Sequence, residues 1–209
     1  MLAGSIGLDT VASRLNIADS INDLRIETLG AFDVEASNAL LKGLGEAYNV
    51  ELEETVRDHI LERVGWAVPY YLQLIFNELR DCRKPDNNTV DGAIDRLLDA
   101  HHKGLFDYWR QRLREELGRP DGDYATVLLH PASRTPEGVG RSIFNQVLTR
   151  VLADSDTREE KLRYLLDVLE NDGYLIEEGK RWRFRSPLLR EYWLRRVAPP
   201  MPAGEAGDE

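Results

Sequence analysis

The residues that first suggest chemistry in this chain of 209 residues form a glycine-rich run, Gly138-Val139-Gly140-Arg141-Ser142. A phosphate-binding loop needs Gly, four residues, Gly, Lys and then Ser or Thr, because its backbone amides and its lysine hold the phosphates. The run imitates only the end of this pattern, and it lacks the lysine. The complete pattern occurs nowhere in the sequence, and no apolar strand ends in paired acids for Mg²⁺. We interpret the run as part of an ordinary helix start after Pro136.

The sequence also contains few side chains in positions suited to bind a metal ion or to act as a nucleophile. His101 and His102 adjoin Asp99, but neighbouring residues on a helix point to different sides and cannot form a spaced ligand pair. The pair Glu53-Glu54 falls in the first turn of a predicted helix, where the helix dipole favours negative charge without a catalytic role. Cys82 is the only cysteine, so it cannot form an internal disulfide and is interpreted as a packing residue. The sequence predicts no catalytic residue and no metal site.

Charge is unevenly distributed along the chain. The formal net charge is −10, which argues against a generic nucleic-acid binder because affinity for phosphates comes from clustered lysine and arginine. Residues 174–198, which we call the basic segment, nevertheless carry seven basic side chains against three acidic ones. The candidate contacts of this segment with a nucleic acid or another partner are Lys180, Arg181, Arg183, Arg185 and Arg190.

The sharpest break between predicted helices is Gly65-Trp66-Ala67-Val68-Pro69, which we call the corner. A helical pattern runs into Gly65 and stops there. A new pattern begins at Pro69, whose fixed φ and missing amide donor suit the first position of a helix. Taken alone, such a corner is typical of a simple connection between two helices.

Helical periodicity predicts the elements on both sides of the corner. Apolar residues recur at i, i+3, i+4 and i+7 in residues 72–79, and similar stripes occupy residues 34–44 and 56–64. Amphipathic helices of this kind bury their stripes against one another, so we predict a small helical bundle. Residues 83–88 form a polar break that contains proline, and two further helical runs extend to residue 117.

The pattern changes after residues 118–123, which are the predicted domain boundary. Three helical runs follow, the second of which is expected to start at Thr135-Pro136-Glu137. Residues 174–185 then alternate, with aromatic side chains on one face and arginines on the other, around a turn at Glu178-Gly179. A last helix is predicted from Ser186-Pro187. Three helices followed by a two-stranded hairpin is the order of a winged helix, so the predicted fold is mainly α with a small β-hairpin wing.

The order of these features resembles the C-terminal part of P-loop ATPases of the archaeal AAA+ and STAND type. In that family a helical lid follows the nucleotide-binding core, and a turn in the lid places a proline near the nucleotide. The corner is one or two residues longer than the commonest form of that turn. Leu2-Ala3-Gly4-Ser5-Ile6-Gly7-Leu8 resembles the end of the core strand that carries the sensor 1 residue, here Ser5. Residues 24–32 resemble the segment that leads into the lid, and residues 106–113 and 184–193 resemble the connector and the winged-helix end.

The resemblance implies a division of the chain and a set of contacts. The segments would be 1–32, a remnant of the ATPase core that leads into the lid; 33–88, the helical lid; 89–120, a helical connector; 121–198, the winged-helix domain; and 199–209, a disordered tail. The implied nucleotide contacts are Ser5, Gly65, Pro69 and Tyr70. A complete ATPase would bind ATP or ADP with Mg²⁺. This chain would begin inside the core and would be a fragment or the product of a split gene.

Two functions fit these expectations. In the first, the chain is the regulatory lid and winged helix of an ATP- or ADP-dependent switch whose ATPase core is supplied in cis or in trans, and it is not catalytic alone. In the second, it is a freestanding winged-helix module that binds DNA or docks a protein. Residues 156–172, the third helix of the winged helix, carry three basic side chains against six acidic ones. Such a helix repels the phosphate backbone, so a protein partner is favoured over DNA.

Two further features bear on location. No apolar run approaches the roughly 18 residues that a membrane helix needs. The first residues lack the basic start and long apolar region of a signal peptide. Together with the single cysteine, these features predict a reducing cytoplasm and no membrane partner.

Overall fold

The computed structural model describes residues 30–99, 103–152 and 154–200. The helices of this described part are α1 (Val34–Tyr48), α2 (Glu54–Val64), α3 (Pro69–Leu79), α4 (Asn87–Leu98), α5 (Lys103–Leu117), α6 (Asp121–Arg134), α7 (Arg141–Thr149), α8 (Ser155–Asn171) and α9 (Pro187–Arg196). The strands are β1 (Val139–Gly140), β2 (Leu175–Glu178) and β3 (Arg181–Phe184). The mainly α fold class is therefore confirmed. Ser5, most of the expected core remnant and nearly all of the expected tail lie outside the described residues.

The sheet is larger than the sequence predicted. The hairpin of β2 and β3 is present, but β1 adds a third antiparallel strand in the order β1-β3-β2. Val139 pairs with Trp182 and Gly140 pairs with Arg181. A strand of two residues carries no recognisable alternation, so only its long-range pairing with β3 defines it.

The expected helix start at residues 135–137 was wrong, since α7 begins at Arg141. Gly138 has a φ of +80°, and a β-carbon at this position would lie 2.6 Å from the carbonyl oxygen of Trp182. The close approach to β3 directs the chain into β1 before the helix can begin. Gly138 and Gly140 therefore shape a turn and a strand.

The alternation of β3 agrees with the prediction. Trp182 and Phe184 are 6% and 2% exposed, whereas Arg181 is exposed and Arg183 is half-buried. The register of the hairpin pairs Leu175 with Phe184, so that two apolar side chains lie on the buried face. A shift of one residue would bring arginines into the core at a large desolvation cost.

One hydrophobic core joins the helices before and after the predicted boundary. We call α1–α4 the bundle and α6–α9 with the three strands the C-terminal lobe. Helix α6 has no exposed residue, because it packs against α5, α7, α8, α9 and β3. Helix α9 also crosses to the bundle, where it packs against α2 and α4. The two lobes therefore bury apolar surface against each other.

In the described part of the chain, every helix is too short or too polar to cross a bilayer.

Candidate functional site

The corner has the local geometry that its sequence predicts. Gly65 ends α2 with a φ of +65°, and its amide donates to the carbonyl oxygen of Leu61 at 2.8 Å. Val68 is extended, and Pro69 takes the first position of α3. Tyr70 is 46% exposed beside it. The structure thus brings together three of the four residues that were expected to contact nucleotide, Gly65, Pro69 and Tyr70, and presents the tyrosine ring to solvent.

The corner also packs on the C-terminal lobe, which the sequence did not reveal. A β-carbon on Gly65 would overlap the ring of Pro187, the first residue of α9. A β-carbon on Gly173 would overlap the indole of Trp66. Both glycines have positive φ, which any other residue rarely adopts. Glycine is therefore required at both positions for conformation and for space.

Two polar contacts reinforce this packing. The hydroxyl of Ser186 donates to the carbonyl oxygen of Val64 at 2.7 Å, which gives a partner to one of the last carbonyls of α2. The Arg185 guanidinium lies 5.4 Å from the centroid of the Trp66 ring, a cation–π arrangement. We call the contacts of Val64, Gly65 and Trp66 with Gly173 and residues 185–187 the interlobe contact.

An ionic network extends the interlobe contact along α9. Arg63 of α2 pairs with Asp91 of α4 and, at 3.1 Å, with Glu191 of α9. Arg195 of α9 pairs with Glu191 and, at 2.9 Å, with Asp95 of α4. Because the charges alternate between the lobes, the network ties α9 to the bundle at two successive turns.

Aromatic side chains pack α5 against α9 and against the residue that follows Gly173. The rings of Phe106 and Tyr192 stack with centroids 5.2 Å apart, and Trp109 meets Tyr174 edge-on at 5.1 Å. The Tyr192 hydroxyl donates to Asp107 at 2.8 Å, and the Tyr174 hydroxyl donates to the carbonyl oxygen of Trp109 at 2.6 Å. Burial raises the pKa of both tyrosines, so their hydroxyls remain neutral donors.

A buried carboxyl group lies next to these rings. Asp172 is 4% exposed, and both of its carboxyl oxygens lack a hydrogen-bond partner within the described structure. Burial raises its pKa to about 7, against the opposing effect of Arg112 and with a smaller contribution from Glu116. Arg112 is itself paired with Glu116 at 3.3 Å. In the sequence Asp172 looks like an ordinary residue of an Asn-Asp-Gly turn, so no local signal indicated its burial.

The arginines of the basic segment are mostly engaged within the protein. Arg181 donates to the carbonyl oxygen of Gly138 at 2.7 Å, and Arg183 donates to both carboxylate oxygens of Glu178 at 2.9 and 2.6 Å. The hydrogen bond from Arg183 lowers the pKa of Glu178. Charge on this strand is thus partly neutralised by the neighbouring strand.

The other candidates of the basic segment lie at different elements. Arg185 covers Trp66 in the interlobe contact, and Arg190 donates to the carbonyl oxygen of Ser133 at the end of α6, at 3.0 Å. Lys180 is exposed in the hairpin turn, where its φ is +66°. The five candidates therefore contact separate parts of the fold, and four of them have structural partners there.

The outward face of α8 is acidic. Its exposed residues recur every three or four positions from the first turn to the last, as expected for one side of a helix. They are Asp156, Glu160, Arg163, Asp167 and Asn171, and Ser155 and Thr157 in the first turn are exposed as well. The face thus carries three carboxylates and one guanidinium.

No cluster of three or more His, Cys, Asp or Glu that could hold a metal ion occurs among the residues that the structure describes. A shallow depression of about 400 Å³ lies between the starts of α2 and α4 and is lined by residues that include Glu53, Lys84 and Asp86. Gly65, Pro69 and Tyr70 do not line it.

The comparison with solved structures found a similar fold. The chain is similar to the Walker-type ATPase PABY2304 of Pyrococcus abyssi, with a TM-score of 0.58, 18% sequence identity and coverage of 89% of this chain. The match covers 51% of that protein, so this chain spans about half of its length. No protein-family model and no curated protein matches the chain. The likeness shows that this chain and the matched half of that protein share a fold.

Proposed function

We propose that this chain is the regulatory lid and winged-helix region of a P-loop ATPase of the archaeal AAA+ or STAND type, which acts as an ATP- or ADP-dependent switch. The observation that carries the proposal is the similarity of fold to a Walker-type ATPase over 89% of this chain. The corner agrees with it, because Pro69 begins α3 and the Tyr70 ring beside it faces solvent. A core supplied in cis or in trans would cover this surface.

The nucleotide would be bound mainly by that core. A phosphate-binding loop, its lysine and Mg²⁺ provide the electrostatic attraction for a triphosphate, and this sequence contains no such loop. Pro69 and Tyr70 would add apolar contacts to the base or ribose from the lid side, with Ser5 near the phosphates. The expected consequence is a contribution to affinity and closure and none to the chemical step.

The C-terminal lobe would report the state of the nucleotide to a partner. Helices α6, α7 and α8 followed by β2 and β3 have the order of a winged helix, and we interpret the lobe as one. A winged helix that reads DNA places its third helix in the major groove. The acidic outward face of α8 would repel DNA phosphates, and the arginines of β3 already have partners. A protein partner therefore fits this lobe better than DNA.

The alternative is a freestanding winged-helix module that binds DNA or docks a protein without nucleotide. The observation in its favour is the missing phosphate-binding loop. The in-frame sequence upstream of the coding region is the simplest observation that distinguishes these two proposals. A glycine-rich loop ending in Lys-Ser or Lys-Thr there favours the ATPase switch.

The decisive experiment uses this chain joined to such a core, or mixed with one encoded separately. Isothermal titration with Mg-ADP is expected to show weaker binding for Tyr70→Ala, roughly tenfold if the ring contributes about 1.4 kcal/mol. The matched control is Tyr108→Ala, which removes a ring of similar exposure (53% against 46%) from α5. Equal affinities for the two variants would refute the role of the corner.

A further inference from the structure

We propose that the bundle and the C-terminal lobe move as one rigid body, and that the corner is the element that couples a ligand to the C-terminal lobe. The biological meaning of this coupling rests on the proposed function, but the rigid body itself is a property of this chain alone. The corner has two sides. One presents Tyr70 to solvent, and the other packs on Pro187 and Gly173.

The steric fit between the lobes leaves little freedom for a hinge at the corner. Gly65 lies so close to Pro187 that a single added carbon would overlap it, and Trp66 lies equally close to Gly173. Gly173 is held in turn by the end of α8, where the amide of Tyr174 donates to the carbonyl oxygen of Leu169 at 2.9 Å, a Schellman arrangement. A displacement of the corner therefore has to displace the start of α9 and the end of α8.

The polar and aromatic contacts act over a longer stretch. The Arg63–Glu191 and Arg195–Asp95 pairs join the lobes on one side of α9. The ring of Phe106 on α5 stacks on Tyr192 of α9 and on Tyr71 of α3, so that α5 bridges the two lobes. An interface held by steric fit, ion pairs and stacked rings at several separate points resists both sliding and rotation, since each motion breaks a different set of contacts.

Pro69 and Tyr70 follow Trp66 by three and four residues in the same turn. A nucleotide that displaces or orders the corner and Tyr70 would thus act directly on the interlobe contact, because no flexible segment lies between them. A movement of the two lobes relative to the core would therefore leave the interlobe contact unchanged. The wing would change its position as the lid closes, and its internal shape would stay the same.

Hydrogen exchange of the full chain at low, increasing urea concentrations tests the rigid body without nucleotide. Amides of α2 and α4 in the bundle and of β3 and α9 in the C-terminal lobe are expected to become exchangeable at the same urea concentration, as one cooperative unit. Opening of the two lobes at clearly different concentrations would overturn the proposal.

A matched pair of glycine variants tests the corner. Gly173→Ala places a methyl group against Trp66 at a φ of +79°, whereas Gly179→Ala in the hairpin turn meets no atom within 4 Å at a φ of +57°. Both variants strain the backbone, but only Gly173→Ala disturbs the interlobe contact. We expect the two lobes of Gly179→Ala to open as one cooperative unit. In Gly173→Ala the lobes should open separately, and the amides of α2 as well as those of α8 should lose protection against exchange. Loss confined to the C-terminal lobe would overturn the coupling.

A milder variant covers the case in which Gly173→Ala does not fold. Arg63→Met keeps an unbranched apolar stem but removes the charge that bridges Asp91 and Glu191. Faster exchange is expected in α9 as well as in α2, and an effect limited to α2 would count against the coupling. A negative result in these exchange experiments would not affect the calorimetry with Tyr70→Ala, since that experiment measures nucleotide affinity in the complete ATPase.

Discussion

Replacing Asp172 by Asn is expected to remove a pH-dependent loss of stability. Burial raises the pKa of this carboxyl group from 3.8 to about 7 in the folded protein. Below pH 3.8 the folded and unfolded chains both carry the proton. As the pH rises toward 7, the unfolded chain releases the proton and the folded chain retains it, so the folded state loses stability. Above about pH 7 the loss is complete.

The magnitude follows from the two pKa values. One pKa unit corresponds to about 1.4 kcal/mol of differential interaction. Between pH 5 and pH 8 the carboxyl group therefore lowers the free energy of unfolding by on the order of 3 kcal/mol. Asparagine has the shape of the protonated carboxyl group and no proton to release. The free energy of unfolding of Asp172→Asn, taken relative to wild type, should therefore increase by about 3 kcal/mol from pH 5 to pH 8.

Urea unfolding followed by circular dichroism at the two pH values measures this difference. Comparing variant with wild type at each pH cancels the titration of all other groups. The matched control is Asp167→Asn, which changes an exposed carboxylate of the same region of α8 and is expected to shift stability by less than about 0.5 kcal/mol. An Asp172→Asn variant with the same stability difference from wild type at both pH values would refute the argument, and so would a variant that loses stability relative to wild type from pH 5 to pH 8.

Three further predictions concern the interface and the ligands. A double-mutant cycle of Arg63→Ala and Glu191→Ala, measured by urea unfolding, should give a coupling of about 1 kcal/mol that shrinks in high salt, since the pair is partly exposed; additive effects would contradict it. Titration calorimetry of this chain alone with Mg-ATP should show no appreciable heat, because the phosphate-binding loop is missing from the sequence; submillimolar binding with turnover would contradict this. Titration with mixed-sequence duplex DNA should show no binding that survives moderate salt. Persistent binding that is lost in the triple variant Arg181→Ala, Arg183→Ala and Arg185→Ala would show that these arginines outweigh the acidic face of α8.

Features with a local cause could be predicted from the sequence. Pro69 and Ser186-Pro187 mark helix starts because proline and a capping hydroxyl act within one turn. The alternation of aromatic side chains and arginines defined the faces of β3 because successive residues of a strand point to opposite sides.

Features that depend on distant residues could not be predicted. The contact of Gly65 with Pro187 and that of Trp66 with Gly173 each join residues more than 100 positions apart. Strand β1 exists only through its pairing with β3. The carboxyl group of Asp172 likewise interacts with Arg112 and Glu116 of α5, which lie more than 50 positions earlier in the chain. Glycine at a helix end is common, so neither glycine indicated that an aromatic ring or a proline would occupy the space beside it.

The aromatic contacts between α5 and the C-terminal lobe limit how this protein can be divided. A cut near residue 120 would leave Phe106 and Trp109 on one piece and Tyr174 and Tyr192 on the other, and all four rings are now less than 10% exposed. Each piece would expose an apolar surface to water and would therefore tend to aggregate. The C-terminal lobe is thus poorly suited to be transplanted onto another protein as a module. The unit that can be exchanged between proteins, by recombination or by engineering, is the bundle and the C-terminal lobe together.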